Sequence, residues 1–419
     1  MPQMNIRTDR PLASGPQGSR HFVVVEVQAR RREHEVERAG LDLGIALDRS
    51  GSMSGGKIQL ACEGVATSIR MLHPTDRFAL VTFDDEVEIP HRTSFATDAS
   101  KQEALSALRR IGPGGSTDLF AGYLNAAQQV GYDMREGRLT RVLLLTDGQA
   151  NQGVVDPDEI AEHVRQLRLR GLVTSTIGVG SSFNEELLTR MASAGGGNSY
   201  YVDSTEQLPI VLAGEVGDAL SVTERDVFLE VRVPESVLVE PMDAARLSPV
   251  PGGLRVQLGD LVSEQVVRVV FEVRVPQQQA HPGVELEFVL GHAGEPAAAT
   301  RRVGFRYVDV AEHRSQPVDR EMLRHVYAMF AARARRAAVE MNSRHDYMEA
   351  QRIMHEAHMR MREFAEGDPS AAQYLDSLES ETVLHGRYMD PREAKRRRYE
   401  SEHHLRDRDV TGRPRRYEP

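Results

Sequence analysis

The 419-residue chain contains a single cysteine, Cys62. It therefore has no intramolecular disulfide framework, which points to a reducing compartment. No stretch approaches the ~20 consecutive apolar residues of a membrane span. The N-terminus, MPQMNIRTDRPLASGPQGSR, lacks the apolar core of a secretory signal. These absences set the expectation of a cytoplasmic protein without membrane contact. Net charge is −10 with 27% charged residues, so there is no global attraction to nucleic acid. No G-x-x-x-x-G-K-[ST] phosphate loop occurs, and no G-x-S-x-G elbow with a plausible histidine.

At roughly 100–200 residues per domain the length allows two or three domains. Residues 1–20 are polar and rich in Gly, Pro and Arg, and are expected to be disordered. HFVVVEVQ opens a strand segment over 21–39. Over 40–220 strands and helices alternate: LDLGIALD, RFALVTFD, RVLLLTD and LVTSTIGVG are apolar runs separated by amphipathic segments. That alternation predicts an α/β domain with a doubly wound, mainly parallel sheet whose strands are covered on both faces. Over 221–310 the apolar period becomes two, as in DVFLEVRVP and EQVVRVVFEVRVP, which reads as a β-sandwich. The early strand shares this period, so the α/β domain is expected to lie inserted in, or next to, the sandwich. Residues 316–385 carry apolar positions three and four apart, including Leu323, Val326, Tyr327 and Phe330, then Met354, Ala357 and Met361; an α-helical hairpin follows from this, with a third short helix. Residues 386–419 mix both charge signs and read as an irregular or transiently helical arm.

Three segments place oxygen donors after strands or at a helix start, where open α/β sheets bind ligands. Asp48, Ser50 and Ser52 follow the first strand in DRSGS; Asp147 ends LLLTD; Thr117 lies in the glycine-rich GGSTDLF. Two carboxylates and three hydroxyls form an all-oxygen set that suits Mg²⁺, with Mn²⁺ or Ca²⁺ as alternatives, and disfavours zinc. Turn and cap chemistry also puts Ser and Asp in such places. D-x-S-x-S alone is a weak signal; its coincidence with the distant Thr and Asp is a strong one.

With those residues in that order, 40–220 resembles the von Willebrand factor type A domain and its metal-ion-dependent adhesion site. The resemblance implies metal ligation by Ser50 and Ser52 directly, by Thr117 and Asp147 directly or through water, with Asp48 orienting the serines or a water. It further implies that an Asp or Glu of a protein partner completes the ion's coordination. The inserted serine departs from the common GGTD, leaving Ser116 or Thr117 as the ligand; Thr117, directly before the helix, is favoured. The domain order resembles intracellular bacterial members, which implies a non-enzymatic adaptor, some members working beside MoxR-type AAA+ ATPases. A self-assembling scaffold driven by the helical region is the alternative. An aspartyl phosphotransferase is disfavoured, because the required second acid two residues after Asp48 is Ser50.

Other groups carry simpler readings. Asp84 and Asp85 read as a solvated loop on the same rim, with a rim acid that shapes partner choice as the alternative, and Asp118 as a supporting acid or a first-turn residue. Cys62 reads as a small buried hydrophobe. His355 and His358 lack the further ligands a metal needs, the methionines of 322–361 read as a core seam, and the KRRR run at 395–398 as a solvated face.

Overall fold

The computed structural model describes residues 2–32, 39–132, 137–180, 182–242, 247–278, 282–365, 367–409 and 412–416. The chain divides into two compact units, one built from residues up to 32 and from 223 onward, the other from 33–222. Residues 33–38, part of the charged stretch expected to extend the first strand segment, lie outside the described residues.

Strands β1 (Gln3–Thr8), β2 (Leu12–Ser14) and β3 (Ser19–Gln28) open the first unit. Residues 1–20, expected to be disordered, are thus largely strand. Their composition is polar, but the backbone is held by partners distant in sequence: β1 pairs antiparallel with β3, and β2 pairs in parallel with a strand near residue 306.

The second unit runs β4 (Leu41–Asp48), α1 (Lys57–Met71), β5 (Arg77–Phe83), β6 (Val87–Phe95), α2 (Asp98–Leu108), α3 (Leu119–Gly131), β7 (Leu139–Thr146), α4 (Pro157–Leu169), β8 (Leu172–Val179), α5 (Glu185–Gly195), β9 (Gly196–Val202) and α6 (Leu208–Leu220). Its six-stranded sheet has the order β6-β5-β4-β7-β8-β9. All neighbours are parallel except β5 and β6. The α/β fold with a mainly parallel sheet is the one expected; the antiparallel edge strand β6 was not. β4, β7 and β8 are buried along their whole length, which explains their unbroken apolar sequences. Asp156 caps α4 by accepting from the amides of Asp158 and Glu159, with Pro157 in the first turn, as its sequence indicated.

The first unit resumes with β10 (Val222–Arg232), β11 (Leu238–Pro241), β12 (Leu247–Val250), β13 (Gly253–Val262), β14 (Val266–Val275), β15 (Gly283–His292) and β16 (Ala299–Val308). Helices α7 (Val310–Ser315), α8 (Arg320–Ser343), α9 (Tyr347–Ala365), α10 (Ala372–His385) and α11 (Pro391–Leu405) follow. One sheet has the order β1-β3-β14-β11, the other β12-β13-β10-β15-β16-β2. Both contribute to one apolar cluster, with Val23, Val25 and Phe271 from the first and Leu229, Leu286 and Phe288 from the second. β3 is apolar on its other side too: Phe22 and Val24 join Val270, Tyr327, Met354 and Met361 in a second cluster shared with the helices. Its sequence FVVV is continuous because both faces are covered.

The arm 386–419 was expected to be irregular or only transiently helical. Instead α11 is a 15-residue helix, and Arg416 bridges to Gln265. Asp390 caps the helix, Arg397 pairs with Glu393 one turn away, and Tyr399 and Leu405 are buried. Residues 410–411 and 417–419 of this arm lie outside the described residues. Cys62 is half-buried on α1, and burial pushes its thiol up to about 11. Met322, Met354 and Met361 are core residues. Among the described residues, no helix is long and apolar enough to cross a membrane.

Candidate metal centre

β4 delivers Asp48 at its C-terminal end, and β7, its parallel neighbour, delivers Asp147 one residue past its own end. Both carboxylates are inaccessible to solvent. The Ser50 amide donates to Asp48 Oδ1 at 2.7 Å, which turns the chain sharply after the strand. A short 3-10 turn over Gly51–Met53 then brings Ser52 back toward Ser50, with the two hydroxyl oxygens 3.0 Å apart. Ser52 Oγ donates to Asp147 Oδ1 at 2.6 Å. The Thr146 hydroxyl donates to Asp48 Oδ2 at 2.5 Å. Four of the five expected residues therefore form one hydrogen-bonded cluster.

The fifth, Thr117, is buried, whereas Ser116 is half-exposed. Gly148 marks how close Thr117 comes. A Cβ built there would lie 3.1 Å from Thr117 Oγ1 and 3.5 Å from Asp48 Oδ2, so any larger residue would fill the space between them. The Thr117 amide donates to Asn151 Oδ1 at 3.0 Å, tying the GGSTD loop to the loop after β7.

Burial raises the Asp48 carboxyl above its ordinary range. Hydrogen bonds from Thr146 and Ser50 oppose this rise, and the charge of Asp147 adds to it. Two carboxylates and three hydroxyls without a thiolate or imidazole fit a hard divalent cation, which would offset their mutual repulsion. Among the described residues there is no cluster of three or more His, Cys, Asp or Glu suited to a metal.

Two residues that matter here were not singled out correctly from the sequence. Asp84, read as part of a solvated loop, is buried and binds three segments together. Its Oδ2 accepts from the Gly115 amide at 3.1 Å and its Oδ1 from the Glu86 amide at 3.0 Å; its carbonyl accepts from the Asp118 amide at 2.7 Å. The Arg49 guanidinium donates to Asp84 Oδ1 at 3.2 Å. Desolvation would push this carboxyl up, but those amides and Arg49 hold it below the usual range. Lys57 is the second: its Nζ bonds Asp147 Oδ2 and donates to the Ser52 carbonyl at 3.1 Å. Asp118 itself caps α3 by accepting from the Ala121 amide.

Gly114 is required by this packing, because a Cβ there would fall 1.8 Å from Asp84 Oδ2. Gly114→Ala is expected to destabilise the second unit by about 1–3 kcal/mol through overpacking. Since the clash is with Asp84, the double variant with Asp84→Ala should lose less than the sum of the two single changes in urea unfolding. Strict additivity would show that the two loops do not press on each other.

The model of the von Willebrand factor type A domain matches residues 42–213. This segment is a von Willebrand factor type A domain. Such domains are generally protein-interaction modules, and they commonly bind a divalent metal at the motif described above. The Escherichia coli (strain K12) protein YfbK is 32% identical over 216 residues, covering 51% of this chain and 37% of that protein. The Synechocystis protein sll0103 is 24% identical over 270 residues, covering 62% of each. Mouse inter-alpha-trypsin inhibitor heavy chain 4 is 29% identical over 172 residues, covering 39% of this chain and 18% of that one. The chain thus spans less than two thirds of the length of these curated relatives.

Two solved structures share the fold over nearly the full chain. A von Willebrand factor type A protein from Catenulispora acidiphila superposes with a TM-score of 0.66 at 17% identity, covering 93% of this chain and 97% of that one. The ArnB paralog VWA2 from Sulfolobus acidocaldarius gives 0.60 at 15%, covering 99% and 100%. None of the names carried by these relatives and structures denotes an enzyme.

Proposed function

We propose that this protein is a non-enzymatic adaptor whose type A domain takes up an Asp or Glu carboxylate of a protein partner through a divalent cation. Asp48, Ser50, Ser52, Thr117 and Asp147 would hold the ion, Mg²⁺ first and Mn²⁺ or Ca²⁺ as alternatives. The observation that carries this reading is the chain of contacts from Asp48 through Ser50 and Ser52 to Asp147, which gathers charged and neutral oxygens at the strand ends. When bound, a divalent ion with mainly neutral hydroxyl ligands supplies an electron-poor centre for an incoming carboxylate oxygen. Asp48 keeps the Ser50 turn closed, Asp147 orients Ser52, and Asp84 with Arg49 holds the neighbouring loops in place. The two-sheet unit, read as a β-sandwich, and its helices would hold a second partner or a second copy of the chain, in a cytoplasmic setting.

Affinity purification from the native host's extract tests this, with Mg²⁺ or EDTA and with the intact chain or Asp48→Ala/Ser50→Ala. A protein retained only by the intact chain with Mg²⁺ is the expected result, and a MoxR-type AAA+ ATPase is the first candidate to look for. Identical sets of proteins in all four arms would overturn the metal-dependent reading and favour a scaffold built on the helical region.

A further inference from the structure

Asp147 is a buried carboxylate with both oxygens engaged by the chain's own donors. Oδ1 accepts from Ser52 Oγ at 2.6 Å, and Oδ2 is bonded by the Lys57 ammonium. Lys57 is the first residue of α1. Its side chain is 30% exposed, while that of Asp147 is fully covered. The same ammonium also donates to the Ser52 carbonyl, so it reaches across the turn that presents the two serines.

Resting on the metal-site reading above, we propose that Lys57 is a tethered cation that competes with the divalent ion for Asp147 and thereby sets the affinity of the site. An ammonium and a divalent ion cannot both lie against Asp147 Oδ2, because like charges that close repel strongly in a poorly solvated setting. Direct ligation through Asp147 Oδ2 therefore requires Lys57 to withdraw, and ligation through Oδ1, on the Ser52 side, leaves the ion and the ammonium sharing one carboxylate charge. A lysine suits this role: it is a compact point charge on a flexible stem, strongly hydrated once it swings outward, and its partial exposure leaves a route to water. An arginine would grip the carboxylate with two parallel bonds and release it less readily. Two consequences follow. Lys57 keeps Asp147 in its ligating position until an ion takes its place. It also lowers intrinsic metal affinity, so that the ion is retained best when a partner's carboxylate arrives with it.

The test is Mn²⁺ titration calorimetry on the full chain, comparing the natural protein with Lys57→Gln, Lys57→Met and a charge control, Arg70→Met. Arg70 lies near the far end of the same helix, about 20 Å from Lys57 along its axis. Both Lys57 variants are expected to bind Mn²⁺ about tenfold more tightly, the minimum for losing a like charge at this range, with Arg70→Met unchanged. Thermal melts give a second readout. In EDTA, Lys57→Met should melt below the natural protein, and saturating Mn²⁺ should remove the difference. Unchanged or weaker Mn²⁺ binding by both Lys57 variants would overturn the competition while leaving the metal site intact. Equal tightening by Arg70→Met would overturn it in favour of a general charge effect. Failure of the natural chain itself to bind Mn²⁺ would remove the metal site, and the competition with it.

Discussion

Asp48→Asn is expected to weaken Mn²⁺ binding by roughly 10–100-fold, the cost of losing a group that orients direct ligands. Asparagine keeps the shape of the side chain and an acceptor for the Ser50 amide, so the turn after β4 can persist. What disappears is one negative charge from a set that holds only two, Asp48 and Asp147. The Thr146 hydroxyl loses its carboxylate acceptor Oδ2, although an amide oxygen can take its place if the side chain rotates. Replacing a desolvated carboxylate by a neutral amide removes a cost of burial, which offsets part of the lost hydrogen bonding. Thermal stability in EDTA should therefore stay close to that of the natural protein while the metal-induced rise in Tm shrinks. Calorimetric titration beside the melts checks both halves. Full-strength Mn²⁺ binding by the variant would exclude Asp48 from the site.

Phe288→Ala should cost about 3–5 kcal/mol of unfolding free energy. Phe288 is fully buried on β15, and its ring centroid lies 5.6 Å from that of Phe271 on β14, which belongs to the other sheet. Its removal takes away a ring that both sheets share, and neither can close the gap without disturbing its own hydrogen-bonded ladder. Urea unfolding followed by far-UV circular dichroism is the appropriate measurement, because the chain has no tryptophan to report on packing. The midpoint should fall while the slope stays constant. A loss below about 1 kcal/mol would mean that the shared cluster repacks freely around the cavity.

The parts of this molecule that were legible in advance are those in which a short stretch carries its own reason. β4, β7 and β8 announce themselves because a strand covered on both faces has no polar side to show. Asp48, Ser50 and Ser52 share one turn and stand out together; Thr117 and Asp147 were joined to them by the resemblance to the type A family. The remainder depended on contacts that no local pattern encodes. Leu12–Ser14 is a strand because residues 306–308 lie beside it. α11 looked like a charged arm, since its Arg–Glu pairs are also what a solvated coil would show; its buried Tyr399 and Leu405 are spaced too thinly to stand out. Asp84 differs from Asp85 only in where the Gly114–Gly115 loop meets it. Lys57 was passed over because nothing in SGGKIQL says that its side chain turns back onto a carboxylate ninety residues later.

The two places where the chain leaves and re-enters the first unit lie side by side: the Arg30 guanidinium donates to the Thr223 carbonyl at 3.1 Å. During synthesis this arrangement imposes a delay. β3 is finished roughly 240 residues before its partner β14, which at ribosomal rates is about 10–50 s. Over that interval its FVVV stretch has only β1 beside it, and an isolated hairpin is marginal in water. The intervening domain has its own core and can fold meanwhile, bringing residues 30 and 223 together before the second half of the sheet exists. The nascent chain thus holds a sticky edge in reserve until β14 has been made.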